Sequence, residues 1–159
     1  MRLAKITTYY KGFFESFYSS NSYLLEKSYA EHHDILTSQY TGNAYFSFKD
    51  IIDLGFKATE FVFNASELQK QWATEYNQQY SLYRTLIAQI ADYKPNVVFI
   101  QDSVKIPADV IAGIRAVLPG KGLIIGNCCT PYSKGHLELF SLYDFFIVCS
   151  QQFKLNYPP

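Results

Sequence analysis

The residue best placed to do chemistry in this 159-residue chain is Asp102. It follows the apolar run Val97-Val98-Phe99-Ile100, which reads as a strand buried on both faces. A carboxylate at the end of such a strand stands where α/β folds gather catalytic groups. A carboxylate at such a place can serve as a general base or position a ligand hydroxyl. The competing role is structural: Asp102 caps the next helix or ties down the Ser103–Ile106 loop. Lys11-Gly12 and Ser133-Lys134-Gly135-His136 have the composition of loops that touch a polar ligand, and equally of ordinary solvated turns. His32-His33, between Glu31 and Asp34, read as the polar face of a helix. Cys128, Cys129 and Cys149 show no C-x-x-C spacing and no Cys/His cluster, so no zinc site is expected. Nucleophilic catalysis is not expected of Cys128-Cys129, and buried, reduced thiols are.

Five strands must position these groups. Leu3-Ala4-Lys5-Ile6-Thr7 alternates apolar and polar residues, and Thr59–Asn64 does so more weakly. Val97–Ile100, Leu123-Ile124-Ile125 and Phe145–Val148 are continuous apolar runs that predict strands buried on both faces. Helices lie between. Tyr83, Leu86, Ile87 and Ile90 form an i, i+3, i+4, i+7 stripe, and Val110, Ile111, Ile114 and Leu118, at i, i+1, i+4 and i+8, form a second apolar helix face behind Pro107. Ser66-Glu67-Leu68-Gln69 has capping-box spacing, and Gly55 suits the end of a helix carrying Phe48, Ile51 and Ile52. Residues 13–40 read as helical with a break at Ser19–Ser22. The expectation is an α/β, Rossmann-like three-layer sandwich with about five parallel strands. A helical, aromatic-rich insertion over residues 8–56 follows strand one.

A doubly wound sheet holds its ligand beyond the carboxyl ends of its strands. Tyr9, Tyr10, Lys11 and Gly12 follow strand one, Ser103 follows Asp102, and Asn127 and Thr130 follow the fourth strand. All are candidate ligand contacts beside Asp102. Several functions are disfavoured. The 14 Lys+Arg balance 14 Asp+Glu without a basic stripe, so no nucleic-acid partner is expected. No apolar run reaches the roughly 20 residues that cross a bilayer, and the charged N-terminus is no signal peptide. A cytoplasmic location is expected, with peripheral membrane contact open. No glycine-rich fingerprint, Walker loop or G-x-S-x-G elbow is present. A phosphoacceptor receiver domain fits the topology, but Asp102 lacks acidic companions after strand one to hold magnesium. The aromatic content is the oddity: 14 Tyr, 13 Phe and 1 Trp, of which 18 fall within residues 1–80.

Several segments together resemble the N-terminal half of bacterial GT-B type glycosyltransferases of the family 4/1-like kind. They are Ile6-Thr7-Thr8-Tyr9-Tyr10, Phe17-Tyr18 with Ser28-Tyr29, Leu54-Gly55, and Asn64-Ala65 leading to Leu68–Ala73. The more specific ones are Lys94-Pro95-Asn96 running through Asp102, Gly126–Pro131, and Tyr143-Asp144-Phe145 through Ser150. The resemblance implies one domain over 1–159 that binds a glycan or other small acceptor, with Asp102 as the catalytic candidate. Tyr9, Tyr10, Lys11, Gly12, Ser103, Asn127 and Thr130 would then contact the acceptor. It also implies that this chain binds no cofactor and no metal, and is inactive alone. The nucleotide-sugar donor would be held by a C-terminal partner domain beyond residue 159. Many retaining members carry a histidine where this chain has Gln101-Asp102, so Asp102 inherits the location rather than the role. The alternative is a stand-alone binding or protein-interaction module.

Overall fold

The computed structural model describes residues 1–39, 48–129, 135–149 and 151. The first strand, β1 (Arg2–Thr7), leads into α1 (Lys11–Ser20), a 3-10 turn (Ser22–Glu26), α2 (Tyr29–Ser38) and α3 (Phe48–Asp53). Then come β2 (Lys57–Val62), α4 (Ser66–Glu75), α5 (Leu82–Tyr93) and β3 (Val97–Ile100). A second 3-10 turn (Ser103–Lys105), α6 (Ala108–Val117), β4 (Leu123–Cys128), α7 (Gly135–Phe140) and β5 (Phe145–Val148) complete the order. The strands form one sheet in the order β2-β1-β3-β4-β5, with every neighbouring pair parallel. Helices flank it, as a Rossmann-like three-layer sandwich requires. No helix among the described residues is long and apolar enough to cross a membrane.

Register divides the sheet into two unlike faces. Ala4, Ile6, Phe61, Val98, Ile100 and Ile124 share one face and pack against Leu86 and Ile90 of α5 and Ile111 and Ile114 of α6. The opposite face carries Lys5, Thr7, Glu60 and Val62 on the two strands nearest the insertion. That face is covered by a second cluster in which Phe17, Leu24, Leu36, Val62 and Leu68 are buried, with Tyr9, Phe13, Phe14 and Tyr18 packed against them. The helical insertion is therefore a cap with its own core.

Local chemistry explains the boundaries. Asn21 ends α1 by donating its side-chain N–H to Phe17 O at 2.9 Å. Gly55 has φ +84, which lets the chain turn from α3 into β2. The capping box lies elsewhere than the spacing suggests. Ala65, not Ser66, is the N-cap of α4 and makes no side-chain cap bond. Gln69 is buried and donates to Val62 O instead of reaching back. The box forms at α2, between Ser28 and Glu31. A further departure concerns β5, whose apolar run predicts burial on both faces. Phe145 and Ile147 are 60 % and 49 % exposed, because β5 is the sheet's edge and its Phe145/Ile147 face is open among the described residues.

The segments Lys94-Pro95-Asn96 and Tyr143-Asp144 do structural work. Lys94 closes α5 in the left-handed region, φ 52, and Asn96 exchanges bonds with Arg2 while its carbonyl accepts from Leu123 N–H. Burial of Asp144 opposes its charge, but the Ile124 N–H and the Arg115 guanidinium, at 2.7 Å each, hold its carboxyl below the usual range. On β4, Gly126 leaves room for two rings: a Cβ there would stand 2.4 Å from Phe146 Cε2 and 2.8 Å from Tyr143 Cδ1. Gly126→Ala should therefore cost about 1–3 kcal/mol by overpacking, read as a lower urea midpoint at unchanged slope. An unchanged midpoint would show that the rings retreat freely.

Candidate functional site

The strand order reverses between β1 and β3, since the chain leaves β1 for β2 on one side and reaches β3 on the other. Connections diverge at such a point and leave a crevice at the carboxyl edge. Asp102 sits there, its side chain 27 % exposed. Its Oδ2 accepts from the Thr8 N–H at 3.2 Å and the Thr8 hydroxyl at 2.5 Å. Lys105 Nζ lies 3.5 Å from Asp102 Oδ1 and donates to Thr8 Oγ1 at 3.2 Å. Asp102 precedes the Ser103–Lys105 turn but makes no side-chain cap bond to it. Its carboxylate instead ties the loop after β1 to the loop after β3. One hydroxyl, one ammonium and one carboxylate thus converge at the crevice, a set able to orient and deprotonate a ligand hydroxyl.

Beneath this rim lies a buried ion pair. Lys5 is fully buried, and its Nζ is 3.5 Å from Oε2 of buried Glu60, its register partner on β2. The Tyr9 hydroxyl donates to Glu60 Oε1 at 3.5 Å, and His33 Nε2 donates to the Glu60 carbonyl at 2.7 Å. Desolvation pulls Lys5 below the ordinary lysine range, while Glu60 and, more weakly, Asp102 draw it back up. Desolvation likewise pushes Glu60 above the usual glutamate range against the attraction of Lys5. Burial beside Glu60 raises the Tyr9 phenol, so it stays a neutral donor. Lys5 therefore stands between two carboxylates, Glu60 on the neighbouring strand β2 and Asp102 just after the neighbouring strand β3.

The cap adds an aromatic hollow of about 430 Å3 lined by Lys11, Phe14, Glu15, Tyr18, Asn64, Ser66 and Glu67. The rings of Phe14 and Tyr18 stack at 6.2 Å, as do those of Tyr9 and Phe14 at 6.1 Å. Asn64 clamps Tyr9 at both backbone atoms, accepting from its N–H at 3.0 Å and donating to its carbonyl at 2.8 Å. This clamp joins the loops after β1 and β2, so the hollow and the crevice share the carboxyl edge. Among the described residues no three His, Cys, Asp or Glu side chains gather as a metal site.

The remaining candidates divide by exposure. Tyr10 is 67 % exposed, Lys11 is exposed beside Glu15, and a Cβ on Gly12 would meet nothing within 4 Å. All three are exposed, and of them Lys11 lines the hollow. Ser103 and Asn127 are buried: Ser103 Oγ accepts from Asn127 N–H at 2.6 Å and donates to Asn127 O at 2.8 Å. Asn127 Nδ2 donates to Gln101 O at 3.2 Å. This pair ties the ends of β3 and β4 and fixes the floor under Asp102. Thr130 and the Ser133-Lys134 part of the second loop lie outside the described residues.

The two histidines are not a solvated face. His32 and His33 are both buried, because the 3-10 turn, α4 and β2 close over that side of α2. His32 Nδ1 donates to Gln71 Oε1 at 2.5 Å, and its Nε2 accepts from the Tyr18 hydroxyl at 3.0 Å. Desolvation lowers the His32 pKa, which favours that neutral tautomer. Nor are all the thiols buried: Cys129 is half-exposed and Cys149 exposed. Sequence reasoning missed Lys5, Glu60 and His33; the available signal was a lysine inside a strand that an aromatic insertion covers. Comparison with protein-family models, curated proteins and solved structures finds no match.

The raised Glu60 pKa sets a testable sign. Stability from a group whose folded pKa is raised is present below the unfolded value and lost as pH rises through the folded one. Relative to wild type, Glu60→Gln should gain stability as pH rises from about 4 to about 7. Urea unfolding of both proteins across that range measures the difference. A flat or opposite trend would mean that attraction to Lys5 outweighs desolvation.

Proposed function

We propose that this chain is the acceptor-binding domain of a nucleotide-sugar-dependent glycosyltransferase that builds a surface polysaccharide or related glycan. The observation that carries the reading is the hollow of stacked Phe14 and Tyr18, rimmed by Glu15 and Glu67, on the same edge as Asp102. A sugar ring presents an apolar C–H face and a girdle of hydroxyls. Stacked rings match the first and the carboxylates match the second. Asp102, held by Thr8 and Lys105, is the group to position or deprotonate an acceptor hydroxyl. The donor nucleotide-sugar belongs to a partner domain, so the chain by itself binds acceptor without transferring sugar. A second reading, a protein-interaction module, is favoured by exposed Phe145 and Ile147 on the edge strand β5.

Titration of the isotope-labelled chain with a panel of oligosaccharides and nucleotide-sugars, followed by NMR, separates these readings. Glycan should perturb Phe14, Tyr18 and Thr8, and Phe14→Ala should weaken binding by about tenfold. Tight nucleotide-sugar binding by this chain, or glycan shifts confined to β5, would contradict the assignment. In a protein that also carries the donor half, Asp102→Asn should lower kcat by about 100-fold or more with the fold intact. Unchanged turnover would remove Asp102 from the chemistry.

A further inference from the structure

The carboxyl ends of β4 and β5 carry a pair of thiols that the glycan reading does not use. The two strands run parallel with Cys128 opposite Val148, so one step further brings Cys129 opposite Cys149. Residues in register share a face, and alternation turns Cys128 to the other one. Exposure agrees: Cys128 is buried, Cys129 half-exposed and Cys149 exposed. Cys129 is the largest influence on the Cys149 thiol and holds it above the usual thiol range, as two neighbouring thiols do. Neighbouring strands lie about 4.8 Å apart, within the roughly 4.4–6.8 Å Cα separation that a disulfide spans.

We propose that Cys129 and Cys149 are a covalent modification site, forming a reversible disulfide that clasps the carboxyl ends of β4 and β5 beside Asn127. A low-molecular-weight disulfide such as oxidised glutathione is the oxidant. The Cys149 thiolate, the more accessible, attacks one glutathione sulfur and breaks the glutathione S–S bond, releasing one glutathione thiolate. The Cys129 thiolate then attacks Cys149 Sγ in the mixed disulfide and releases the second. Two protein thiols are oxidised, one glutathione disulfide is reduced to two thiols, and the two protein protons pass to the released thiolates. The neighbouring Cys129 thiol holds the Cys149 thiol up, so the reaction quickens as pH rises from about 7 to about 9.

The test is incubation of the chain with oxidised glutathione, followed by thiol counting in denaturant and peptide mass mapping. The three thiols should fall to one, with a Cys129–Cys149 peptide lighter by two hydrogens and restored by dithiothreitol. Cys128→Ser should still form the bridge, whereas Cys149→Ser should not and Cys129→Ser should stop at the glutathione adduct. Three persisting thiols, a bridge mapped to Cys128, or links only between chains would overturn the proposal.

Discussion

A lysine with no exposure to solvent, set on a strand inside a parallel sheet, is the constraint around which the rest of this molecule is arranged. An ammonium taken out of water costs several kcal/mol unless carboxylates and hydrogen bonds receive it. Glu60 answers Lys5 in register from β2, and Asp102 lies within electrostatic reach from the far side. The pairing also makes register a high-stakes choice. A one-residue slip of β1 against β2 would turn Lys5 toward Leu86 and Ile90 and part it from Glu60.

This constraint accounts for the aromatic excess. The sheet face that bears Lys5, Thr7 and Glu60 cannot be sealed by aliphatic side chains alone, because its polar groups need donors and acceptors. Tyrosine and histidine supply both ring area and a polar tip. Tyr9 covers the pair and donates to Glu60, His33 donates to the Glu60 carbonyl, and Tyr18 seals the next layer by donating to His32. Phe13, Phe14 and Phe17 fill the space between them by stacking and edge contacts. Rings left at the outer margin of this cap, Phe14 and Tyr18, form the hollow beside the crevice.

The elements were legible because their periodicity is strong: continuous apolar runs for β3 and β4, and apolar stripes of helical spacing on α5 and α6. Asp102 was legible for the same reason, since the end of an apolar run marks the carboxyl edge. Lys5 was not, because an apolar–polar alternation looks alike whether its polar face meets water or a cap. His32 and His33 hide the same way, their burial being decided by Gln71 and Glu60 far along the chain. The exposure of β5 depends on which strand ends at the edge, and strand order is not written in local pattern. Ser103 and Asn127 illustrate the finer limit. Both stand at strand ends, where ligand contacts gather, yet each turns inward to satisfy the other.

The most direct test of this account is the titration of Lys5 itself, followed by carbon-13 NMR of its side chain in wild type and in Asp102→Asn. Lys5 should titrate below the ordinary lysine value of about 10.4, and lower still when the Asp102 charge is removed. A Lys5 that titrates at the ordinary value and ignores the substitution would contradict the claim that one buried charge joins Glu60 and Asp102 into a single site.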